Sequence, residues 1–431
     1  MKSKNAPDQA AVWSGALLFA VIVGVLKWLQ AARLQNQAFD LGIYANVLWN
    51  TAHGDLFRDS IKGVNFLGDH FSPGMALLAP LLRVWPDAVV LSLAQSAALA
   101  LGIPAVHRLA WNHTHDRTAA GGFALLYALS PLVHEASRYD VHAVAFAVPL
   151  LLWGLVLSGS SSRAVLFMAG LLQEDIWLCA AAAAWHKKDR RAAAFFVGAF
   201  FISLILLRAI GGTFVPAHWS FYDPSRIAAS LMTPTRFIGL ARLLLPLGAL
   251  PLLGGAAALP LLIPLGYTFL GANPHQGLLD LQYGAPLIAF AFLAAIHGWT
   301  KLKRRPWWGF AVLALASIAW LKPYSRPLPD AKAAAAKEML ALVPNDAPVS
   351  ASFNLVPRLA ARRDIQMWTL GREPNGYWLA LDGYPFAFGP AALQSGTAVE
   401  ALADAHPDRV VYRKEGFVLL KPAESFGKMP P

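Results

Sequence analysis

The chain has 431 residues, of which 56% are hydrophobic and only 14% charged, whereas a soluble globular protein carries nearer a quarter charged. Its net charge is +11, but the basic residues gather in short clusters between apolar runs, which marks a membrane protein and argues against a nucleic-acid partner. The single cysteine, Cys179, excludes an intrachain disulfide and a thiolate metal site and reads as a small buried hydrophobe.

In chain order, Met1-Lys2-Ser3-Lys4 precedes an apolar run at 11–30. The run is long for the hydrophobic stretch of a signal peptide, so it reads as an uncleaved first helix. Further apolar runs at 88–106, 119–135, 142–158, 192–210, 237–253, 255–271, 284–300 and 307–321 are read as spans, since about 20 apolar residues cross a bilayer core. Two others, 163–174 and 176–186, are short alone and read as half-spans or as a hairpin meeting at a polar tip. The stretch 71–86 is apolar but short and proline-bounded, which predicts an interfacial or re-entrant helix.

Lys2 and Lys4, then His107, Arg108 and Arg117, then Arg163, then Lys187 to Arg191, then Lys301 to Arg305 all fall on one side of the membrane if the spans number about eleven. That predicts a multi-pass inner-membrane protein with a cytoplasmic N-terminus and an external tail. Charges become denser after Lys322. Residues 1–322 therefore read as a transmembrane domain with an outer loop at 31–87, and 323–431 as a small soluble extracytoplasmic α/β domain. The predicted fold class is mainly α, a polytopic transmembrane helix bundle. In the tail, helices are expected at 330–343, 355–363 and 398–405. Strands are expected at 349–353, 365–368 and 377–381, with a hairpin around Glu415-Gly416.

Four acidic groups stand where an apolar chain least tolerates them. Asp40 follows the first span and reads as a helix cap or as a functional acid. Asp69-His70 can bind a divalent metal or move a proton, or can close a turn. Arg138, Asp140 and His142 crowd a short loop, where Asp140 caps a helix or, with Arg138, faces a phosphate-bearing ligand. Gln173, Glu174 and Asp175 separate the two short apolar runs and form either a salt bridge or a cavity wall. The threading puts all four groups near one membrane face, which suits a divalent metal, a catalytic base or both. On the same side, Arg208, His218, Arg226, Arg236 and Arg242 hold an anionic lipid phosphate or simply snorkel to headgroups. His275, Gln276 and Tyr283 are further candidates for the cavity wall.

At Phe39-Asp40-Leu41-Gly42-Ile43, Leu67-Gly68-Asp69-His70-Phe71-Ser72-Pro73, Tyr139-Asp140-Val141-His142 and Gln173-Glu174-Asp175 the chain resembles a bacterial and archaeal family of predicted membrane proteins, domain of unknown function 2079. The resemblance runs from about residue 35 to about residue 320, and the tail is similar to that family's C-terminal region. The family pattern reads Lys-Glu-Asp where this chain has Gln173-Glu174-Asp175, which removes a cation at 173 but keeps both acids. The family layout in turn resembles the GT-C superfamily of membrane glycosyltransferases. That resemblance implies a polyprenyl-phosphate-linked sugar as donor, a lipid, glycan or protein acceptor at the outer face, and often a divalent metal such as Mg²⁺ or Mn²⁺. It makes Asp40 the first-loop acid, as base or metal ligand, and Asp140 the second acid. Glu174 and Asp175 would bind metal or shape the sugar pocket, Asp69 and His70 would join the metal, and Arg138 with one or more of the basic residues from Arg208 to Arg242 would stabilise the leaving phosphate. Two other classes stay open: a transporter or lipid flippase, which the short apolar pair at 163–186 suits, and a non-catalytic scaffold whose outer domain binds a partner.

Overall fold

The structure is a computed structural model that describes residues 9–230, 232–370, 373–383 and 396–423; Lys2 and Lys4 lie outside the described residues. The chain divides into two compact units. The first comprises residues up to Val25, Leu67–Met75 and Leu93–Lys322. The second comprises Leu26–Phe66, Ala76–Ser92 and Pro323 onward.

The protein is a multi-pass membrane protein built from apolar helices. Among the described residues, three helical stretches are long and apolar enough to cross a bilayer: α1 (Gln9–Ala32), the run formed by α4 (Val89–Ala100) and α5 (Gly102–Thr114), and a later helix, Arg190–Gly211. Only 22% of the most apolar window of the first and last is buried within the protein. Their Leu, Ile, Val and Phe side chains are thus left to contact lipid, where backbone groups bonded within the helix need no water.

Between them lie α2 (Ile43–Ala52), a two-residue-per-strand hairpin of β1 (Arg58–Asp59) and β2 (Val64–Asn65), and a helical stretch Pro73–Val84 that ends in α3 (Ala79–Val84). The first unit continues through α6 (Arg117–Ala128), α7 (Pro131–Arg138), α8 (Ala143–Val156), α9 (Gly159–Gly170), α10 (Ile176–His186) and α11 (Arg190–Gly211). The run expected as one span at 119–135 is two helices, because Pro131 cannot donate its backbone to a continuing helix and instead starts α7. Helices α9 and α10 pack against each other, and the five residues joining them carry Gln173-Glu174-Asp175.

After α12 (Pro224–Ser230) and α13 (Pro234–Leu244), the runs read as spans at 237–253 and 255–271 break up. Past α13 they form short 3₁₀ segments at Leu245–Leu247, Leu250–Leu253 and Gly255–Leu261, then α14 (Leu262–Leu270). Pro246, Pro251, Pro260 and Pro264 interrupt what hydropathy presents as continuous. The segments Leu250–Leu253 and Gly255–Leu261 pack on α16 (Ala285–Thr300), which follows α15 (Pro274–Leu278) and is buried along nearly its whole length. Small residues make that contact possible: a Cβ on Gly254 would lie 2.8 Å from the Ala294 carbonyl oxygen. The unit ends after α17 (Gly309–Ile318).

The second unit contains a five-stranded sheet, order β4-β3-β5-β7-β6, from β3 (Val349–Ala351), β4 (Ile365–Met367), β5 (Trp378–Asp382), β6 (Val410–Lys414) and β7 (Phe417–Leu420). The β3–β4 and β3–β5 pairs are parallel; β5–β7 and β6–β7 are antiparallel. Alternation along β7 assigns its two faces. Phe417 and Leu419 pack with α18 (Asp330–Ala341) and α19 (Val356–Leu359), while Val418 and Leu420 pack with α20 (Gly396–Ala405). The first of these cores also takes in Leu34 and Ala38 from far upstream. Asn46 on α2 is fully buried, donates to the Arg362 carbonyl at 2.7 Å and accepts from the Ser60 backbone N–H at 3.0 Å.

Candidate functional site

Two glycines seat the segment carrying His70 within the first unit. A Cβ on Gly68 would fall 2.5 Å from the Gly211 Cα at the end of α11, and one on Gly74 would lie 3.0 Å from the Leu171 carbonyl oxygen. The Gly74 N–H donates to that same carbonyl at 2.8 Å. The loop 67–75 is thereby fixed on the α9–α10 connection, and the Phe71 N–H donates to Glu174 Oε2 at 2.9 Å. Glu174 Oε1 lies 3.1 Å from His70 Nδ1. The carboxylate orients the imidazole and is itself 8% exposed.

His218, from the 3₁₀ turn Ala217–Tyr222, stacks face to face on His70 with ring centroids 4.4 Å apart and planes 8° from parallel. His142, before α8, meets His70 edge-on at 6.0 Å. Gln95 of α4 positions it, accepting from the His142 N–H at 2.9 Å and donating to the Ala136 carbonyl at 3.1 Å. Among the described residues, His70, Glu174 and His218 present ligand atoms that all lie within 4.8 Å of one another.

These residues line one cavity of about 390 Å³. His70, His142, Gln173, Glu174, Asp175, His218 and Tyr283, all singled out in the sequence, line it. So does Gln276, a secondary candidate. The Tyr267 hydroxyl is 3.5 Å from Cys179 Sγ. Trp219, Tyr222, Tyr267 and Gln282 also line the cavity but carry no local signal in the sequence. A tyrosine near the end of an apolar run reads most simply as a membrane-interface residue.

Other candidates lie elsewhere. Asp69 and Asp140 are each 2% exposed and are not among the lining residues. Arg208 is exposed near the end of α11 and is not among them either. Arg236 is buried and donates to the Phe269 and Gly271 carbonyls at 2.6 and 2.9 Å, pinning α13 to the end of α14. Arg138 pairs with buried Glu135 at 2.6 Å, as do Arg242 at 2.7 Å and Lys322 at 3.0 Å. Asp40 belongs to the second unit. It sits just before α2 with φ 62° and ψ −93°, a conformation unusual for a residue with a side chain.

The family model for a predicted membrane protein, DUF2079, matches residues 30–183 and 193–382. The chain belongs to this family. No curated protein matches its sequence. Among solved structures it is similar to ArnT from Cupriavidus metallidurans in the apo state, with a TM-score of 0.54 over 96% of this chain and 98% of that one, at 12% identity. Identity that low carries the fold alone. The resemblance of this DUF2079 chain to the GT-C membrane glycosyltransferases therefore holds as a likeness of fold.

Proposed function

We propose that this DUF2079 protein is a membrane glycosyltransferase that moves a sugar from a polyprenyl-phosphate donor to an acceptor hydroxyl at the outer face of the membrane. The observation carrying this reading is the gathering of His70, Glu174, Asp175 and His218 around one cavity of an ArnT-like fold. The bond from the sugar's anomeric carbon to phosphate oxygen breaks, the bond from that carbon to the acceptor oxygen forms, and the acceptor's proton passes to the protein. The prenyl phosphate leaves as an anion.

Asp175 is the base in this scheme. Glu174 is occupied by His70 and the Phe71 N–H, while Oδ1 of Asp175 is buried without a partner among the described residues. His70 and His218 face the same cavity. With Glu174 they also fit a divalent ion, and two imidazoles with one carboxylate suit Mn²⁺ or Zn²⁺ better than Mg²⁺, which prefers oxygen ligands. A bound ion would supply Lewis acidity toward the leaving phosphate. Asp40, the first-loop acid of the GT-C-like layout, is held at an unfavourable φ, and such strain often marks functional positions.

Lipid and glycan profiling of a deletion strain tests the reading. Wild type should restore the missing glycosylated product. Asp175→Asn should lower its formation by roughly 10²-fold or more, and Asp40→Asn should abolish it while leaving the protein folded. Full restoration by Asp175→Asn would remove it as the base. The metal site has a separate readout: Zn²⁺ or Mn²⁺ binding by calorimetry should be lost in His218→Ala and should exceed Mg²⁺ binding in wild type.

A further inference from the structure

The described lining of the cavity contains two carboxylates, three imidazoles and three carboxamides, and neither lysine nor arginine. Four of its buried acceptor atoms have no hydrogen-bond partner among the described residues: Gln173 Oε1, Asp175 Oδ1, Gln276 Oε1 and Gln282 Oε1. Unpaired buried polar atoms are rare in native proteins, and four around one cavity call for donors that the protein does not provide.

A hydroxyl answers this pattern, because it donates to a carboxylate and satisfies a carboxamide whichever way the amide is turned. A ligand carboxylate only accepts, so it would set acceptor against acceptor at Asp175. The imidazoles do not offset that. His70 is paired with Glu174, and His218 stacks face to face on His70, an arrangement that two cations would oppose. Building on the glycosyltransferase reading above, we propose that the cavity admits the glycosyl group as an uncharged, hydroxyl-rich ring and rejects sugars bearing a carboxylate or a phosphate. Selection among sugars is then made by charge as well as by shape.

Saturation-transfer NMR on the full chain in lipid nanodiscs tests this with a methyl hexopyranoside and the matching methyl hexuronide. The hexopyranoside should bind, and the hexuronide should bind about tenfold more weakly or worse. Gln282→Leu removes an unpaired buried atom, so it should weaken hexopyranoside binding without lowering the melting temperature of the free protein. Asp175→Asn should bring hexuronide affinity to within a few-fold of the hexopyranoside. Hexuronide binding equal to or tighter than hexopyranoside binding in wild type overturns the proposal. So does no hexopyranoside binding, unaltered binding by Gln282→Leu, or an unchanged gap in Asp175→Asn. Hexopyranoside binding with no transfer would sink the enzyme reading and leave the selectivity standing. Transfer of a uronic acid from its prenyl phosphate would do the reverse.

Discussion

Asp280 pairs with His275 in the connection between α14 and α16. His275 Nδ1 lies 2.9 Å from Asp280 Oδ1, and this hydrogen bond raises the histidine's pKa above 6.5 against the opposing effect of burial. A raised histidine pKa means that the pair's contribution to stability is full below the unfolded value and fades as pH climbs through the folded one. Asp280→Asn should therefore move the His275 titration to lower pH, as followed by NMR of labelled histidine. An unmoved midpoint would remove Asp280 as the cause. At this scale the sequence showed which residues were out of place but not which way they pointed. His70, Glu174 and Asp175 are conspicuous as polar groups among apolar neighbours, and they line the cavity. Asp69 and Asp140 are equally conspicuous and do not line it, because neighbours along an irregular segment face different directions. Tyr267 and Gln282 reach the cavity only through tertiary packing, which no short motif encodes.

Among the elements, the α9–α10 pair depends on a close contact at its tip. A Cβ on Gly170 would collide with the Trp177 ring. Gly170→Ala should thus cost about 1–3 kcal/mol, as overpacking does, and appear as a lower melting temperature. Because the connection carries Glu174 and Asp175, ligand binding in the cavity should weaken with it. Helices α1 and α11 were legible because an uninterrupted apolar run of that length has few other stable forms. The strands β3 to β7 were legible as well, since short alternating runs between turn residues mark them. The region 245–264 was not. Averaged hydropathy ignores the prolines that cut it into short 3₁₀ segments, the later two of which pack on α16.

Across the whole molecule, the second unit is assembled from separated stretches of chain. Leu34 and Ala38 share a core with Val349, Phe417 and Leu419, and Asn46 ties α2 to the Ala360 and Arg362 carbonyls. Residues 323–431 expressed alone would lack those partners. They should show poorer NMR dispersion and lower protease resistance than the same residues co-expressed with 26–92, and equal behaviour would show that the tail needs no upstream help. In the full chain, Asn46→Ala should destabilise this unit by about 1–3 kcal/mol per buried group left unpaired. The same arrangement has a cost in time. Asn46 leaves the ribosome 314 residues before Ala360, which at about 5–20 residues per second is a delay on the order of tens of seconds. For that interval Leu34, Ala38 and the polar face of α2 have no finished surface to join, so a stalled or truncated chain would expose them to chaperones and proteases. Cellular quality control would thus read out the completeness of this protein from its earliest loop.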